Sequence, residues 1–126
     1  MCGIFDRTVR LCSADSGDLL FVCNGHEATV QSVAIDSSGD IVASGSDDLT
    51  IRLWDATNGS LVRVLSGHSR AIEGVAFAPD DRLLASAGAD GSLKLWSLEG
   101  EAVASFDTPG VRLKSVTFSP AGKWIA

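Results

Sequence analysis

His26 returns as His68 and Trp54 returns as Trp96, and with them Gly25/Gly67, Val33/Val75, Ala34/Ala76, Ala43/Ala85, Ser44/Ser86, Asp48/Asp90 and Leu53/Leu95 recur at the same offset of 42 residues. Nine identities at one spacing within 126 residues exclude most folds. A unit of this period cannot bury its apolar face alone and must stack against copies of itself. The unit opens on Gly25-His26 and closes on Trp54-Asp55.

Each complete unit contains four short apolar runs, in the first case near residues 30–35, 40–45, 50–54 and 61–65. Ser37-Ser38-Gly39-Asp40, Pro79-Asp80-Asp81-Arg82 and Pro120-Ala121-Gly122-Lys123 separate such runs with tight-turn chemistry. Proline pre-sets φ for the first turning residue, and Gly or Asp tolerates the next, so the runs are expected to be antiparallel strands. Ile41-Val42-Ala43, Leu61-Val62 and Leu83-Leu84-Ala85 are nearly continuous in apolar character. That predicts strands covered on both faces. Thr8 to Cys12 aligns with Thr50 to Trp54 and Ser92 to Trp96, so the chain opens on the second half of a unit. The third unit departs from the pattern: Trp96 to Gly100 is one residue shorter than Trp54 to Gly59, and Thr108-Pro109 stands where Gly-His is due. A further strand is expected over Arg112 to Phe118 and the start of another over Lys123 to Ala126.

The Gly-His opening, the Trp-Asp close and a period within about 40–45 residues resemble the WD-repeat β-propeller family. The resemblance implies an all-β chain of four-stranded antiparallel blades, three blades' worth in a single domain spanning 1–126. The blades fall at about 24–66 and 67–108, with a split blade of 1–23 plus 109–126. Propellers close with about 4–8 blades, so such a chain is expected not to close alone. The resemblance also implies that His26, Ser44, Asp48 and Trp54, and again His68, Ser86, Asp90 and Trp96, form buried hydrogen-bonded tetrads that lock each blade's loops to its strands.

Ser, His and Asp together also suggest nucleophilic catalysis. A set that recurs with the fold unit belongs to the fold, and neither copy carries a nucleophile elbow or an oxyanion loop. The first five residues, Met1-Cys2-Gly3-Ile4-Phe5, resemble the start of the class II glutamine amidotransferases, in which an exposed N-terminal Cys attacks glutamine. The likeness ends there, and Cys2-Gly3 falls on the repeat positions of Ser44-Gly45. The chain is therefore read as a non-enzyme, a protein-protein interaction scaffold without catalytic, cofactor or metal residues. Residues that differ between repeats on the rim carrying His and Asp are the candidate partner contacts: Phe5, Thr29, Gln31, Arg70, Glu73, Arg112 and Lys114.

A net charge of −6 without a basic cluster argues against nucleic acid as a partner. The absence of a long apolar run and of a basic-then-apolar start argues against a membrane or a signal peptide, and predicts a cytoplasmic protein. Three cysteines without a CxxC pair suggest neither a disulfide framework nor a zinc site, and Cys12 and Cys23 are expected to be small buried residues. Two repeats of 42 and one of 41 span Cys2 to Ala126, so Ala126 of one chain is followed in register by Cys2 of another. A homo-oligomeric ring of two copies and six blades is one expectation, with a nine-bladed ring of three copies less favoured. The other expectation is a segment of a longer repeat protein, such as the sensor arm of a signalling protein.

Overall fold

The computed structural model describes residues 7–126. Ten strands are arranged in three antiparallel sheets, and the described residues contain no helix. Strands β1 (Thr8–Cys12) and β2 (Leu19–Asn24) form a hairpin; β3 (Val30–Ile35), β4 (Ile41–Ser46), β5 (Thr50–Asp55) and β6 (Leu61–Ser66) form one meander. The second meander comprises β7 (Ile72–Phe77), β8 (Leu83–Gly88), β9 (Ser92–Ser97) and β10 (Ala102–Asp107). These are two complete propeller blades and half of another, stacked in chain order.

Apolar layers between the sheets hold the stack together. Val9, Leu11 and Cys23 of the hairpin pack with Val30, Val42 and Trp54 of the first blade. Ile51, Leu53 and Leu65 of that blade meet Ile72, Leu84 and Trp96 of the second. Val116 then packs with Ala85 and Ala87 on the far face of the second blade. A ladder irregularity recurs at the Trp position, between Leu53 and Trp54 on β5 and between Leu11 and Cys12 on β1. An extra residue there increases the local twist of the outer strand.

Coverage on both faces holds for β4 and β8, buried along almost their whole length, but not for β6. Leu61 is 45% and Val62 49% exposed. The outermost strand has a partner on one edge only, and within it only Leu65 is buried by the neighbouring blade. The strand expected over Arg112 to Phe118 is likewise reduced to one bridge, Phe118 with Ile125. Around it Thr117 and Ala126 exchange two backbone bonds and the Ser119 amide donates to the Trp124 carbonyl, closing a short hairpin. Among the described residues no third strand pairs with it. Cys12 departs from expectation too: it is half-buried and disulfide-bonded, whereas Cys23 is free and buried. An odd cysteine count conceals a single bond.

Candidate functional site

His26 lies in the loop before β3, Ser44 on β4, Asp48 in the β4–β5 turn and Trp54 on β5. The fold brings all four together. His26 Nδ1 meets Asp48 Oδ2 at 2.7 Å, His26 Nε2 meets Ser44 Oγ at 2.7 Å, and Trp54 Nε1 donates to the same Oγ at 2.8 Å. The Asp48 carboxylate can only accept, so Nδ1–H donates to it; in the neutral imidazole, the form that burial favours, Nε2 accepts the Ser44 O–H. In the second blade His68 joins Asp90 at 3.1 Å and Ser86 at 2.6 Å, while Trp96 Nε1 donates to Ser86 at 2.8 Å. Gly67 makes room for this: a Cβ there would lie 2.9 Å from the Trp96 ring edge.

This order of Asp, His and Ser is that of a hydrolase triad, but the surroundings differ. Ser44 and Ser86 are 0% exposed, and the indole N–H occupies the oxygen that would attack. Fully paired in a low-dielectric interior, the set joins the loop, the turn and two strands of its blade.

Burial lowers the pKa of His26 and His68 below the ordinary 6.5, although their aspartates oppose it. Burial alone would raise the Asp48 pKa, but bonds from Thr50, His26 and the Glu27 amide outweigh it and hold the carboxyl at about 2. Asp90 is likewise held well below the usual carboxylate range. The unfolded imidazoles therefore take up protons first, so the stability they contribute is complete above about pH 6.5 and declines as pH falls below it. The Asp48 contribution is complete above pH 3.8 and disappears toward about pH 2. A thermal midpoint flat near neutrality, falling below about pH 6.5 and falling again below about pH 4, is the expected profile. A constant midpoint between about pH 7 and 5 would remove the neutral histidines from this account.

Two of the variable residues, Gln31 and Arg112, are held by acidic side chains. Gln31 Nε2 donates to both carboxylate oxygens of Asp47, at 3.0 and 3.1 Å. Thr29 is exposed, its carbonyl accepting the Asp47 amide at 2.9 Å. Arg112 is ion-paired with Glu73 across two blades. Arg70 and Lys114 are exposed, and Arg70, Ser69, Ala89, Asp90 and Val111 line a cleft of about 250 Å³. Phe5, like Cys2, lies outside the described residues. Sequence reasoning missed Leu49, which stands on the same rim, 39% exposed, with φ 73°. A branched apolar residue strains this left-handed turn. The repeat offered a signal, since Gly91 holds the equivalent position with φ 79°. The described residues contain no group of three or more His, Cys, Asp or Glu able to hold a metal ion.

Stacked four-stranded blades bolted by repeated His-Asp-Ser-Trp sets define a propeller-type repeat protein. The family model "WD domain, G-beta repeat" matches residues 17–55 and 59–97, and the chain belongs to that family. Each matched segment starts with the outer strand of one sheet and ends on the third strand of the next, so the sequence repeat straddles two sheets. Among solved structures, the chain resembles "Structure of U3-55K" with a TM-score of 0.83 at 28% identity and "Crystal structure of RRP9 WD40 repeats" with 0.82 at 28%. Either likeness covers 88% of this chain and 36% of the other, so the chain spans about a third of their length. No curated protein matches it in a sequence comparison.

Proposed function

We propose that the chain is a non-catalytic docking module for protein partners, and that the rim carrying the His loops and Asp turns is its contact surface. The observation that carries this reading is the division of labour on that rim. The repeated polar residues turn inward into closed hydrogen-bond sets, while the non-repeating ones, Arg70, Arg112, Lys114, Gln31 and Leu49, are exposed. WD-repeat domains are protein-interaction folds, and a rigid rim suits docking. The Arg112–Glu73 pair, with Arg112 60% exposed, contributes about 0–1 kcal/mol to folding. Arg70→Glu combined with Arg112→Gln, which sets no second carboxylate against Glu73, therefore keeps the thermal midpoint within a few degrees and weakens partner capture, mainly through the association rate. Retention of every captured partner by the double variant, alongside loss in variants of the opposite rim, would reject this surface.

Association with further blades is the second part of the reading. Among the described residues, the last hairpin holds a single bridge, Phe118 with Ile125, and leaves its strand edges little paired. Trp124, 74% exposed, adds an apolar face. Open edges and apolar faces of this kind favour pairing with another chain. Further blades, supplied by a second copy to give six or by the rest of a longer repeat chain, would cover these features. Native mass spectrometry giving a dispersed monomer that melts cooperatively would reject this association.

A further inference from the structure

On the rim opposite the His loops, neighbouring blades meet through turns built from equivalent positions with different chemistry. At the first junction the Ser37 amide donates to Asp81 Oδ1 at 2.9 Å, and the Ser37 hydroxyl donates to the other carboxylate oxygen. Asp81 holds a left-handed backbone, φ 58°, which aspartate tolerates better than most residues. Beside this latch Asp36, only 9% exposed, accepts bonds from Ser38, Asp40 and Ile41. One repeat further on, all three groups are gone. Pro79 stands at the Ser37 position without an N–H to donate, Gly122 at the Asp81 position without a carboxylate, and Ala78 at the Asp36 position. The second junction opens into a groove of about 300 Å³ lined by Ala78, Pro79, Asp80, Leu83, Phe118 and Ala121, with Gly122 at its edge.

We propose that this groove is a peptide-docking site of the module, taking one aliphatic side chain of leucine or proline size with a lysine or arginine directly beside it. The proposal rests on the reading of the chain as a partner-docking module and adds a second, independent surface to it. Its volume lies at the lower end of the range for ligand pockets, which suits a single side chain. Ala78, Leu83, Phe118 and Ala121 give it apolar walls. Among the described residues that line it, Asp80 alone is charged; it is exposed, and the Arg82 amide donates to its Oδ1 at 3.0 Å. Neither Arg82 nor Lys123 lines the groove. A carboxylate at the mouth of an apolar slot, on a chain of net charge −6, complements a cationic neighbour of the buried side chain.

The test is titration of the chain with three capped peptides, Ala-Leu-Arg-Ala, Ala-Ala-Arg-Ala and Ala-Leu-Glu-Ala, followed by amide shifts in a two-dimensional NMR spectrum. The leucine-arginine peptide is expected to move the amides of Asp80, Asp81, Ala121 and Gly122 saturably. Replacing its leucine should weaken binding about tenfold or more. Replacing its arginine by glutamate should weaken it about two- to fivefold, as should Asp80→Asn in the protein. Pro79→Ser with Gly122→Asp restores the latch and should abolish the shifts. Only the Pro79 ring, itself replaced in this variant, would come within 4 Å of a Cβ at Gly122, and the left-handed backbone there, φ 72°, is one that Asp81 holds at the equivalent position with φ 58°. Absence of saturable shifts, equal response to all three peptides, or undiminished binding by the folded latch variant would overturn the proposal. None of these results touches the other rim, whose test uses Arg70 and Arg112.

Discussion

Trp96→Ala is expected to lower the unfolding free energy by about 3–5 kcal/mol, the usual cost of truncating a large aromatic in a packed core. The indole is 2% exposed and lies among Ala43, Ile51, Leu65, Ile72 and Leu84, side chains drawn from both complete blades. Its removal opens a cavity at the layer that holds the two sheets together, and also leaves Ser86 Oγ without its 2.8 Å donor. Trp96→Phe separates the two effects: most of the ring stays, the donor is lost, and the expected cost is about 1–3 kcal/mol. Against a typical total of about 5–15 kcal/mol, the alanine variant approaches unfolding. Urea unfolding should show a lower midpoint with an unchanged slope. A loss below about 1 kcal/mol for alanine would place the stability of the stack elsewhere.

Gly74→Val acts at the next junction. A Cβ at Gly74 would stand 2.9 Å from Ser115 Cα and 3.2 Å from the Val116 nitrogen, so the obstacle is backbone and cannot rotate away. Overpacking of this kind costs about 1–3 kcal/mol. The strain should displace the segment that carries Val116 from β7, with Gly74→Ala a milder version of the same change. Hydrogen exchange reads the effect locally. The amides of Thr117, Ser119 and Ala126, bonded within the last hairpin, should lose protection while those of β4 and β5 keep theirs. Equal protection in the variant would mean that the hairpin does not depend on that contact.

Much of this architecture was legible in the order of residues. The strands from β3 to β10 lie where apolar runs and turn residues alternate, because local backbone chemistry writes both. The His-Asp-Ser-Trp sets were legible for a related reason: a buried polar group needs its partners, so all four must recur together once the unit recurs. The amino-acid sequence alone thus determined the repeat, its strands and the set of residues inside each blade. Tertiary structure alone decided which strand faces are covered, leaving Leu61 and Val62 open on β6. It also joined Gln31 to Asp47, Arg112 to Glu73 and Ser37 to Asp81. The Arg112 and Ser37 bonds join residues 39 and 44 positions apart across neighbouring blades. A periodic pattern specifies what each blade contains, but contacts between non-repeating side chains depend on how the twisted sheets bring their rims together, and no single repeat encodes that.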